Sequence, residues 1–136
     1  MDNPTYAPQY LAGIRYFNER DFFESHEVWE DVWNDCDAGS RKFYQGLIQT
    51  AVALHHFGNG NVRGAVKLYR SSRAYLEPYQ PTCNGLDVTQ LLDDMATCFD
   101  TLLSDKGTGP DAEIDPELIP TLQLDPPPTA EENPEP

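Results

Sequence analysis

With 136 residues and a formal charge of -14 at neutral pH, the chain has the length of a single domain that can bury its own core without disulfides or a structural metal. Its charge excludes two classes of partner: a phosphate-binding face needs clustered Lys and Arg, and the nine present stand against 23 Asp and Glu, so neither nucleic acid nor an anionic membrane surface is expected. Residues 1–104 carry 14 acids and 8 bases, net -6, while residues 105–136 carry 9 acids and 1 base, net -8, which divides the chain into a helical domain over 1–104 and an acidic tail over 105–136.

Cys36, Cys83 and Cys98 are odd in number and form no C-x-x-C pair, so reduced thiols are expected rather than a disulfide framework or a zinc knuckle. The start Met1-Asp2-Asn3-Pro4 lacks the basic and apolar runs of a signal peptide, and no stretch reaches the length of a spanning helix. The expectation is a soluble, cytoplasmic protein.

Five helices are predicted. The first covers about Thr5 to Asn18 after Pro4, with Tyr6, Tyr10, Ile14 and Phe17 as its apolar stripe. Asp21 caps the second, which has Glu24 in capping-box position and runs to about Asp35. The third follows Gly39-Ser40, with Ser40 as its cap, and continues to His56 or Phe57; its apolar density marks it as the central helix. Asn61 opens the fourth, which carries Val62, Ala65, Val66, Leu68, Tyr69 and Leu76 and ends before Pro78.

Asp87 caps the fifth, over Val88 to about Ser104, with Leu91, Leu92, Met95, Phe99 and Leu102 on one side. No β-alternation is evident. Beyond Asp105 prolines and acids dominate, as expected of a tail that is disordered or loosely docked; Ile114, Leu118, Ile119, Leu122 and Leu124 are the residues able to dock it. The fold class is all-α, a compact bundle of about five helices with a Pro-rich acidic C-terminal tail.

The second helix carries the candidate chemistry. Phe22, His26, Trp29 and Trp33 fall on one stripe, and Glu30 follows His26 by one turn, which directs His26 and Glu30 into or along the rim of the apolar face. A buried carboxylate there needs a partner: His26, an Arg from another helix, or a metal. His26-Glu27-x-x-Glu30 is half of a helical zinc motif, so His26 and Glu30 are the candidate metal pair, with further donors available from the third helix.

On that helix Gln45, Gln49 and His56 share a face, and His55 lies beside Ile48 and Val52. The competing reading is structural: a satisfied His–Glu pair, glutamines bonding helix to helix, and His55 or His56 capping a helix C-terminus. Gly46 allows a neighbouring helix, or Trp29 or Trp33, to approach closely. Arg70 and Arg73 are placed to balance the acids of the second helix. The glycines around Gly58 and Gly60 lack the spacing of a phosphate loop.

The run Phe22-Phe23-Glu24-Ser25-His26-Glu27-Val28-Trp29-Glu30 with Trp33, then Phe43-Tyr44-Gln45-Gly46-Leu47-Ile48-Gln49 and Gly60-Asn61-Val62-Arg63-Gly64-Ala65, resembles the bacterial and archaeal family known as domain of unknown function 309, over about residues 10–78. The resemblance implies a small bundle of about five helices. It places His26, Glu27 and Glu30 in the family's first motif and Gln45, Gly46 and Gln49 in its second, and it assigns no biochemical role.

Three functions follow as expectations. The first is a binding or protein-interaction module, self-association as a homodimer included, in which a buried His/Glu/Gln cluster fixes helix register. The alternative is a metal- or small-ligand-binding protein with metal-assisted hydrolysis, Glu27 or Glu30 acting as base and a divalent ion as the candidate cofactor. The third is an accessory to a larger assembly that is contacted through the tail.

Overall fold

The computed structural model describes residues 6–103 and 115–128. Its five helices are α1 (Pro8–Asn18), α2 (Phe22–Asp35), α3 (Ala38–Gly58), α4 (Val62–Leu76) and α5 (Val88–Leu103). The predicted caps of α2, α4 and α5 hold: Asp21 accepts from the Glu24 N–H, Asn61 from Gly64 and Asp87 from Gln90, each satisfying a donor that the first turn leaves without an intrahelical partner.

Two starts differ from expectation. Helix α1 begins at Pro8 rather than near Thr5, because Pro8 sits in its first turn and the residue before a proline is pushed extended, as Ala7 is at ψ 136°. Helix α3 begins at Ala38 and is capped by Asp37, which accepts from the Ser40 N–H at 3.0 Å. Asp37 outranks Ser40 by taking this bond, and the helix therefore includes Gly39.

Helix α3 packs against both α2 and α4, α1 packs against α2 and reaches α3 through Tyr10, and α5 packs against α4. Phe43, Leu47, Ala51 and Leu54 of α3 are buried with Tyr10, Phe17, Trp29, Leu76, Phe99 and Leu102 in one core. Close approaches between helices rest on two glycines. A Cβ on Gly13 would run into the Trp29 indole, and one on Gly46 would lie 2.6 Å from Leu76 Cγ. Gly46 thus admits a neighbouring helix, α4, as one of its expected alternatives has it, while Trp29 stands against Gly13 on α1.

Between α4 and α5 a hairpin pairs Thr82–Cys83 with Leu86–Asp87 in antiparallel register. Asn84 and Gly85 turn it with φ of 51° and 78°, the left-handed pair that suits Asn-Gly in a two-residue turn. The chain then returns along α1 in residues 115–128. Leu122 and Leu124 are buried, and Leu124 bridges Leu86. Asn18 both donates to and accepts from the Leu122 backbone at 2.9 and 2.7 Å, while Arg20 donates to the carbonyls of Pro120 and Ile119. Leu118 is exposed, and Ile114 lies outside the described residues.

Candidate functional site

Two side chains of α2 fix its rotation against α1. Ser25 Oγ donates to the Gly13 carbonyl at 2.9 Å and Trp29 Nε1 to that of Tyr10 at 3.2 Å, and both side chains are fully buried. His26 and Glu30 each follow one of these anchors by one residue, about 100° round the helix. They consequently leave the core: the His26 side chain is 17% exposed and those of Glu27 and Glu30 are each 50% exposed. The expected burial of Glu30 is thus corrected. The buried polar groups of this helix are Ser25 and the Trp29 N–H, and the His/Glu cluster sits at the surface.

His26 Nδ1 lies 2.7 Å from the Phe23 carbonyl. A carbonyl only accepts, so Nδ1 carries the hydrogen, and in the neutral form of the ring the lone pair is at Nε2. That atom is 3.6 Å from Glu27 Oε2 and 3.7 Å from Glu30 Oε2, and the three donor atoms all lie within 4.8 Å of one another. Two bonds of about 2.1 Å at a tetrahedral angle hold their donors about 3.4 Å apart, so small carboxylate rotations would bring the set onto one ion. Sequence spacing singled out His26 and Glu30; the structure adds Glu27 on equal terms.

The remaining candidates divide. His55 is brought to the same edge, since the half-exposed Phe23 ring stands 5.1 Å from the His26 ring and 5.4 Å from that of His55. Its Nε2 accepts from Asn59 Nδ2 at 3.2 Å, while His56 Nδ1 receives Asn61 Nδ2 at 3.5 Å; each imidazole therefore holds an asparagine of the α3–α4 turn. Gln49 Oε1 is buried without a hydrogen-bond partner, and among the described residues no hydrogen bond joins Gln45 or Gln49 to His26. Phe23, the ring between the two histidines, was missed by periodicity because it points outward, although its place three residues before His26 was available as a signal.

Other polar groups have settled roles. Trp33 receives the Arg41 guanidinium over its ring at 4.0 Å. Arg73 pairs at 3.3 Å with Glu77, the residue just past the end of its helix, and among the described residues it forms no ion pair with α2. Burial pushes the Tyr44 phenol up to about 12 and the Cys98 thiol up to about 11, and it raises Tyr10 and Cys83 as well. Hollows occur between α1 and residues 122–128, about 680 Å³, and where the start of α1 meets the α2–α3 junction, about 760 Å³. Neither is lined by His26, Glu27 or Glu30.

These features define a small α-helical domain with a surface His/Glu triad on its second helix. Residues 10–68, from α1 into α4, match the family model described as "Domain of unknown function (DUF309)", the family that the motifs resemble. Two relatives are similar. "Uncharacterized protein YpuF" of Bacillus subtilis (strain 168) is 33% identical over 92 residues, 65% of this chain and 53% of that protein. An "Uncharacterized protein" of Aquifex aeolicus (strain VF5) is 35% identical over 57 residues, 41% of this chain and 17% of that protein. The chain thus spans about half or less of each relative's length. Among the described residues no helix is long and apolar enough to cross a membrane.

Proposed function

We propose that this domain binds one divalent transition-metal ion through His26 Nε2 and the carboxylates of Glu27 and Glu30. The observation that carries this reading is the Phe23 carbonyl holding Nδ1–H, which turns the Nε2 lone pair toward two carboxylates that have no other partner among the described residues. Metal-binding imidazoles are commonly oriented in this way through their second nitrogen. One nitrogen and two oxygens suit Zn²⁺, Mn²⁺ or Fe²⁺, and three protein donors leave at least one coordination position for solvent or a ligand.

Half-exposed carboxylates favour this reading over a register-fixing core network, because solutes reach them. The hydrolytic extension gains no support: both carboxylates stand at the same distance from Nε2, so neither is set apart as a base.

The test is elemental analysis of untagged protein purified without chelator, beside His26→Ala and the double variant Glu27→Gln/Glu30→Gln. About one equivalent of metal is expected in the wild type and none in either variant, with the wild-type melt lowered by EDTA. Metal-free protein whose melt ignores EDTA, added Zn²⁺ and added Mn²⁺ would overturn the reading and leave His26 in a helix-surface ion pair.

A further inference from the structure

The acids of this chain avoid one stretch completely. Residues 38–76, which hold all of α3 and α4, contain no Asp or Glu and six of the nine bases, net +6; the rest of the chain carries all 23 acids and three bases, net -20. Within the basic stretch two arginines are engaged, Arg41 over Trp33 and Arg73 with Glu77. Arg63, Lys67 and Arg70 are not. All three are exposed, they recur at helical spacing on the outer face of α4, and among the described residues none forms a side-chain hydrogen bond or an ion pair. With Val66 they line a shallow hollow of about 430 Å³.

Three cations on one face repel one another unless a counter-charge meets them, and among the described residues no acid of this chain pairs with any of the three. We propose that the α4 face of Arg63, Val66, Lys67 and Arg70 is a docking surface for an extended acidic peptide segment of a partner protein. The size of the stripe selects that occupant. From residue 63 to residue 70 is about 10 Å along the axis, the span of about three extended peptide residues, so alternate carboxylates can meet the cations while Val66 takes a small apolar side chain between them. A nucleic-acid duplex or a membrane surface extends far beyond 10 Å and would face the net -20 of the remaining chain. A second copy would bring its own net charge of -14 against this one.

The full chain is titrated into fluorescein-labelled octaglutamate, read by fluorescence anisotropy at about 20 mM and about 200 mM salt. Binding is expected at low salt, weakened at least about tenfold by the added salt. Lys67→Glu/Arg70→Glu is expected to weaken it at least about tenfold again, while Lys42→Glu, an exposed change on α3, leaves it unaltered. Melts of both variants within about 2 °C of wild type show that folding is intact. No binding at low salt, equal binding by the double variant, or tighter binding of a labelled single-stranded oligonucleotide would each overturn the proposal. So would sedimentation showing a dimer that the double variant disrupts, which would assign the face to a second copy.

Discussion

Helix α2 presents two polar faces one residue apart, and they are built on opposite terms. On the inner face Ser25 and the Trp29 indole are fully buried, and each donates to one α1 carbonyl. On the outer face the His26 side chain is partly exposed and those of Glu27 and Glu30 are half-exposed, and the three are opposed chiefly to one another. A buried donor left unpaired costs stability, so the inner face must be complete within the fold. Surface groups carry no such penalty, and a set that converges there without securing any other element is free to serve a ligand. The lesson is that polarity on a helix indicates function only after burial has been assigned.

The contrast is broken most severely at Trp29. Trp29→Ala is expected to cost about 3–5 kcal/mol, measured by urea denaturation; a cost comparable to an ordinary surface change would mean that the indole is not the anchor. Gly13→Ala comes next, at about 1–3 kcal/mol, because the added methyl meets the same indole. A wild-type midpoint for this variant would show that the α1–α2 seam can open without loss.

Alkaline pH probes the buried side from a different direction. Burial raises the folded Tyr44 phenol from its ordinary 10 to about 12, and raises Tyr10 too. The unfolded chain therefore ionises first. Stability is complete below pH 10 and falls as pH rises toward 12, by up to about 1.4 kcal/mol per pH unit for each such phenol. Tyr44→Phe should remove one phenol's share of that slope in urea titrations made across this window, and an unchanged slope would contradict it.

The smallest effect sharpens the outer face: without metal, His26→Ala should change stability by less than about 0.5 kcal/mol. A loss several times larger in chemical denaturation would move His26 to the structural side of the comparison.

Much of this arrangement is legible in the sequence, and the failures share a cause. Asp21, Asn61 and Asp87 announce their helices because capping is local. Asn84-Gly85 carried an equally local hairpin signal, overlooked because only two residues pair on each side. The stripe containing His26 was right for Trp29, which is buried, and for Phe22 and Trp33, which pack against the core, and it failed in drawing Glu30 toward that face: spacing places Ser25, His26, Trp29 and Glu30 around the helix but does not say which pair meets α1. That choice is made by Gly13, twelve residues before Ser25, whose missing side chain admits Trp29. The fit of Leu122 against Asn18 spans 104 residues of sequence, and only packing in three dimensions reveals it.

The most direct measurement is equilibrium dialysis of the full chain against radioactive Zn²⁺, run for wild type, His26→Ala and His55→Ala. Wild type and His55→Ala should each retain about one equivalent and His26→Ala none, since three donors of α2 alone form the set. Undiminished zinc in His26→Ala would contradict the account, and the exposed face of α2 would then be no more than a solvated helix surface.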